Sequence, residues 1–231
     1  MKKFLMVFSL FIAGLGFGCV PATATAGTFY GSAYVDSYDW TGVEGDTATA
    51  HNGEKTSIGM GIDGGYMGSV VNVYGFYEEY TLEDRFSKLT GHISLGDTGY
   101  TIYGQTSYYG SHYGDELRGL VGVGKPMVLG DEHIKVNFSP FIGYAWTDGD
   151  FGIEDSPMFG WSANTKLLGM SLTSWHEMEY QNSKVTHQGA LGAFYDLNDK
   201  WFTGMQYRYW SDIGGNVGFA DALIMRVGMK F

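Results

Sequence analysis

The chain has 231 residues, is 44% hydrophobic and 16% aromatic, and carries 36 Gly, only 4 Pro and a formal net charge of -11. That acidity excludes a nucleic acid polymer as partner, because such binding needs a cationic surface. A mean hydropathy of -0.11, with a single long apolar run, excludes a bundle of membrane helices, which would need several apolar runs of about 20 residues.

The apolar run is N-terminal. Lys2 and Lys3 precede an apolar stretch, Phe4 to Val20, and two small-x-small sites follow, Ala22-Thr23-Ala24 and Ala24-Thr25-Ala26. Residues 1–26 read as a secretory signal peptide and 27–231 as the mature domain. The single cysteine, Cys19, lies in the leader, behind a Gly16-Phe17-Gly18 that matches a lipoprotein box poorly. Cleavage after Ala26 leaves no cysteine for a disulfide or a metal.

No 3.6-residue apolar period follows. Twelve runs of about ten residues alternate instead, as strands with one apolar face do. Frequent Gly suits such strands better than helices, where it costs ~1 kcal/mol relative to Ala. The runs are Phe29–Trp40, Thr56–Gly64, Val70–Tyr80, Phe86–Leu95, Tyr100–Tyr109, Leu117–Val128, Ile134–Trp146, Phe159–Leu167, Met170–Tyr180, Val185–Asp196, Trp201–Trp210 and Ala222–Phe231. The first, third and ninth alternate poorly. Pro140 interrupts the clearest run and predicts a bulge or a missing ladder bond, because proline has no N–H to donate.

The connections fall into two sets. Those near Gly65–Gly68, Gly96–Gly99, Leu129–Glu132, Leu168–Gly169 and Leu197–Lys200 are short. Those at Thr41–Lys55, Thr81–Arg85, Gly110–Glu116, Thr147–Met158, Gln181–Lys184 and Ser211–Asp221 are mostly longer. The longer set collects acidic residues such as Glu44, Asp46, Glu54, Glu83, Asp115, Asp148 and Asp212. Short turns at one end and longer loops at the other are the signature of an outer-membrane barrel. An even strand count puts both termini on the turn side. In the last strand Leu223, Met225, Val227, Met229 and Phe231 share one face. This ending resembles the closing strand of bacterial outer-membrane barrels, whose terminal aromatic is part of the signal for assembly. The resemblance implies that Phe231 is the assembly signal, read by the barrel-assembly machinery. The fold class is therefore an all-β, closed antiparallel transmembrane barrel of about 12 strands in the outer membrane of a Gram-negative bacterium. A soluble β-sandwich is the competing architecture. Tyr144, Trp146, Phe159, Trp161, Trp201, Tyr207 and Tyr209 sit near strand ends on the lipid side, where interfacial rings belong.

By parity, Lys88, His92, Tyr103, Gln105, Asn137, Lys166, Trp175, Glu177, Gln188, Gln206, Arg208 and Arg226 line the lumen, together with Arg118, Lys135, Phe141, Asn164, Glu179, Trp210 and Lys230. Charges, amides and Tyr suit a hydrated path for small polar solutes, and the rings could stack on a planar one. The alternative is a plugged lumen, in which inward Arg, Lys and Glu satisfy one another. Catalysis has thinner support. Ser111 and His112 are neighbours and point apart; His112, Asp115 and His51 could meet at a rim; alternation puts His176 and Glu177 on opposite faces. No cofactor and no metal spacing is read.

The overall layout, and most closely the C-terminal third, resembles the nucleoside-specific channel family of outer-membrane proteins (Tsx and OmpK-like). There Ala190-Leu191-Gly192-Ala193-Phe194-Tyr195 leads through Asn198-Asp199-Lys200-Trp201-Phe202 into Gly204-Met205-Gln206-Tyr207-Arg208-Tyr209, and the chain ends Val227-Gly228-Met229-Lys230-Phe231. The resemblance implies a small twelve-stranded channel and nucleosides as solute; it carries no contact residue over. The expected partners are outer-membrane lipid, lipopolysaccharide and a small polar solute. The alternatives are a plugged structural or surface-interaction barrel with cation-binding acidic loops, and a lipid-modifying enzyme.

Overall fold

The computed structural model describes residues 27–41, 56–80, 84–181, 183–211 and 219–231. The leader 1–26 lies outside them, as do Glu44, Asp46, His51, Glu54, Glu83 and Asp212. Thirteen strands follow one another: β1 (Thr28–Thr41), β2 (Thr56–Met67), β3 (Val71–Glu79), β4 (Arg85–Ser94), β5 (Thr101–Ser111), β6 (Gly114–Gly124), β7 (Met127–Gly130), β8 (Lys135–Gly149), β9 (Ser156–Leu167), β10 (Met170–Gln181), β11 (Lys184–Asp196), β12 (Trp201–Ser211) and β13 (Ala220–Lys230). A single 3₁₀ turn, Gly96–Thr98, is the helical content of the described residues.

Every strand pairs antiparallel with its sequence neighbours except β6 and β7, which do not pair with each other, and two further pairings, β1 with β13 and β6 with β8, close the ring. The last strand, β13, lies beside β1, with Asp36 opposite Arg226 and Val35 opposite Val227. Strands β6 and β7 both pair with β8, in one continuous register: Gly124 faces Phe141 and Met127 faces Phe138. The gap between them, Lys125-Pro126, faces Ser139-Pro140. The Lys125 N–H donates to the Pro140 carbonyl at 3.0 Å, but neither proline can donate back. The expected flaw at Pro140 is thus a loss of ladder bonds with no bulge. Pro126, opposite it, doubles the loss and splits the expected sixth strand. Strands β6 and β7 form one stave, so the barrel has twelve.

Two expected loops are shorter than read. The connection at Gly110–Glu116 shrinks to His112 and Tyr113, because Ser111 pairs with Gly114. The one at Thr147–Met158 shrinks to residues 150–155, because β8 and β9 run on as far as Ala145 opposite Ser156 and beyond. The length contrast between the two ends therefore rests chiefly on the connections at 42–55 and 212–219. We call these the loop end and the opposite one the turn end.

The outer wall is what closure in lipid requires. Val35, Ile58, Met60, Ile62, Val121, Ile142, Leu191, Met225 and Val227 all stand exposed on it. Hydrocarbon offers no hydrogen-bond partner to an open edge, so only a closed sheet can present such a wall to a membrane. At the seam the Phe231 N–H donates to the Gly31 carbonyl at 3.0 Å. The Phe231 ring lies over Gly31, where a Cβ would stand 2.6 Å from it. At the β9–β10 turn both central residues are left-handed, Leu168 at φ 52° and Gly169 at φ 79°, the conformation a two-residue hairpin needs.

Candidate functional site: the lumen

Inward side chains come from even-numbered positions of β1, β3, β4, β6, β9 and β11 to β13, and from odd ones of β2, β5, β8 and β10, as the registers dictate. They stack in layers from the loop end to the turn end. Nearest the loops, Tyr38 and Trp40 are stacked at 5.3 Å, and Trp210 and Tyr80 meet Trp40 edge-on at 5.7 and 6.3 Å. These rings sit on buried Ala222 and Ile224.

Below them lies a balanced cluster of two arginines and two carboxylates. Arg226 donates from Nε and Nη2 to the two Asp36 oxygens at 2.8 and 2.6 Å, and from Nη2 to Glu78 at 2.9 Å. Arg208 donates to both Glu78 oxygens at 2.8 and 3.2 Å, to Gln206 at 3.0 Å and to the Tyr80 hydroxyl at 2.9 Å. The Tyr34 hydroxyl donates to Glu78 at 3.0 Å. The Tyr34 ring lies 3.4 Å from the Arg226 guanidinium carbon, a cation–π stack. Its other face covers β2 at Gly61, where a Cβ would meet the ring at 2.5 Å. The glycine is the reason the ring can lie flat under the guanidinium.

A second cluster bridges the lumen. Lys88 on β4 pairs with Glu177 on β10. Going round the wall, these staves are five steps apart. At about 4.8 Å per step the contact cannot follow the wall and must cross the interior. Gln188 donates to the other Glu177 oxygen at 2.7 Å, and Lys88 Nζ lies 4.8 Å from the Trp175 ring. Alongside, Arg118 pairs with Glu179 and lies 3.7 Å from Glu116, while Ser156 donates to Glu179 at 3.2 Å.

Toward the turn end Tyr103 and Phe141 stack at 4.0 Å, with Leu120, Ala145 and Met158 packed about them. Tyr103 donates to Gln105 at 2.6 Å, and His92 shares a hydrogen bond with Thr101 at 3.0 Å. Beyond this layer the β8–β9 wall opens. Asn137 donates to Asn164 at 2.8 Å, and Lys135, Lys166 and Ser162 are exposed beside them. Lys230 pairs with Asp196 at 3.0 Å.

The twelve residues singled out from the sequence thus fall into three groups. Gln206, Arg208 and Arg226 join the loop-end cluster. Lys88, Trp175, Glu177 and Gln188 form the crossing cluster. His92, Tyr103 and Gln105 belong to the aromatic layer, with Asn137 and Lys166 at the open mouth beyond it. Sequence reading missed the acidic partners Asp36 and Glu78, because their strands β1 and β3 alternate poorly. No group of three or more His, Cys, Asp or Glu among the described residues could hold a metal.

No protein-family model matches the chain. An outer-membrane channel from Pseudomonas putida F1 resembles it at 10% identity and a TM-score of 0.50, over 93% of this chain and 100% of that one. The NanC porin does so at 10% identity and a TM-score of 0.50, over 86% and 98%. At such identities the likeness is one of fold, and it does not single out the nucleoside-channel family. A closed twelve-stave barrel of this architecture, with a lipid-facing wall, resides in the bacterial outer membrane.

Proposed function

We propose that the protein is a narrow outer-membrane channel that passes small polar solutes by passive diffusion. The observation that carries this reading is an inner wall of ion pairs that opens onto a polar mouth at Asn137, Asn164, Lys135 and Lys166. Buried ion pairs seldom beat apolar packing as a source of stability, so a barrel that needed only to be full would gain nothing by them. Ion pairs can exchange partners with water and with a solute's hydroxyl or amide groups, as a conduction path requires. Lys88–Glu177 and Arg118–Glu179 form the constriction, with charges of both signs.

Nucleosides are the finer reading, implied by the sequence resemblance. A base would stack on Trp175 in place of Lys88, since the facing sides of Tyr103 and Phe141 are occupied by each other. Block of the current by adenosine, lost in Trp175→Ala, would support that class; block by ribose alone would remove it. Insertion through the strand ending on Phe231 and residence among outer-membrane lipid and lipopolysaccharide belong to the same reading. The rival is a plugged barrel, favoured by the fact that Lys88–Glu177 crosses the interior. Recordings in planar bilayers separate the two. Discrete conductance steps, larger in the Lys88→Met/Glu177→Leu double variant, support the channel, and silence from both proteins supports the plug.

A further inference from the structure

One group of polar side chains lies on the wrong side of the wall. His176, His187, Tyr207, Tyr209 and Asp221 project outward from β10 to β13, toward lipid. His176 Nδ1 and the Tyr209 hydroxyl share a hydrogen bond at 2.6 Å. It passes over β11 at Gly189, the register partner of both residues, where a Cβ would meet the hydroxyl at 2.6 Å. Tyr207 stacks on Tyr209 at 6.0 Å and donates to Asp221 at 2.9 Å. The His187 ring lies nearly parallel to His176 at 5.6 Å, and Trp161 flanks His176 at 6.0 Å.

These groups are held in place by one another, yet the remaining nitrogens of both imidazoles have no protein partner among the described residues. A polar group facing hydrocarbon without a partner is costly. Elsewhere the outer wall carries apolar side chains such as Ile58, Met60, Val121 and Ile142, apart from a second polar row near the loop end of β3 to β6, where Tyr77 donates to Glu79 and Arg85, Tyr108 and Asp115 are linked. His187, Tyr209 and Asp221 stand within a few residues of the loop ends of their strands, which places the patch toward the headgroups of the leaflet on the loop side.

We propose that this patch binds the phosphorylated sugar headgroup of an outer-leaflet glycolipid. Loops of such barrels face outward, so the lipid on that side is the cell's surface glycolipid. His176 and His187 donate to the phosphate oxygens, their spacing suiting two oxygens of one phosphate. Trp161 and Tyr209 supply ring faces for the sugar. The Asp221 carboxylate is engaged by Tyr207 and lies beyond Tyr209, two staves from His187 and three from His176.

The test is native mass spectrometry of the purified barrel in detergent with three added lipids: lipid A, phosphatidylglycerol and an uncharged galactolipid. The result expected is retention of one lipid A per barrel, at least tenfold over the other two. The retention is lost in His176→Phe/His187→Leu and reduced in Tyr209→Phe, which removes only the hydroxyl that orients His176. Bound lipid A also displaces the ¹⁵N resonances of both imidazoles in NMR of the wild type. The substitutions put apolar groups on an apolar wall, and unchanged heat-modifiable migration on gels verifies folding. Equal retention of the three lipids, or undiminished retention of lipid A by the double variant, would overturn the proposal. A dimer of the wild type that the same variant abolishes would do so too, and would make the patch an interface between copies.

Discussion

The seam between the first and last strands offers the sharpest energetic test. Arg226 makes two charge-assisted bonds to Asp36 and one to Glu78, and stacks on Tyr34, all at less than a tenth exposure. Arg226→Met removes these and leaves Asp36 buried without its cation. The cost of breaking such a pair from one side is about 3–5 kcal/mol. Asp36→Leu leaves Arg226 with Glu78, which already faces Arg208, so its cost falls in the same range or somewhat below. In the double variant no charge is left uncompensated, since Glu78 keeps both bonds from Arg208 and the one from Tyr34; what remains is the buried Tyr38 hydroxyl, which loses Asp36 as its acceptor. The double should therefore cost less than Arg226→Met alone, about 1–2 kcal/mol, giving a coupling of at least 2 kcal/mol in the cycle. The assay is reversible urea unfolding in detergent micelles, followed by tryptophan fluorescence and gel migration. Costs that simply add would refute the seam pair as a coupled unit.

Other outcomes follow from the same geometry. Leu168 is exposed and left-handed in the β9–β10 turn, a conformation costly to a branched residue; Leu168→Asn should stabilise the barrel by about 0.5–1 kcal/mol in the urea assay. Deleting Phe231 removes the ring over Gly31 and its N–H bond; the amount of barrel inserted in the outer membrane should fall more than the conductance of the protein that does insert. In the turn before β8, the Asp131 carboxylate accepts the N–H groups of His133 and Ile134 at 2.8 and 3.1 Å, which hold it below the usual carboxylate range. A depressed pKa stabilises above the unfolded value, about 3.9, and the gain is lost as pH falls through the folded one. Amide exchange protection at His133 and Ile134 should drop across that acid window in the wild type and be flat in Asp131→Asn.

Much of the fold was readable because a barrel wall repeats every two residues. Runs such as Ile58-Met60-Ile62 and Val136-Phe138 fix which face meets lipid, and with it which side chains turn inward. Strand ends were less visible where β5, β6, β8 and β9 rise toward the loop end on polar residues such as Ser111, Gly114 and Ser156, whose side chains carry no apolar signal. The break between β6 and β7 depends on Pro126 lying opposite Pro140, a relation between strands that neither proline announces alone. The pairing of inward charges was hidden for a similar reason. Lys88 and Glu177 are 89 residues apart, and only the closed ring brings β4 against β10. His176, His187 and Tyr209 are unremarkable singly; they become a cluster because three staves bring them into neighbouring rows across Gly189.

Conduction through the ion-paired lumen is read out by single-channel recording of the purified protein in planar bilayers. Small, discrete steps are expected, growing when Lys88→Met and Glu177→Leu are combined, because the crossing contact is then gone. A protein inserted in the bilayer that gives no steps, with or without those substitutions, would contradict conduction.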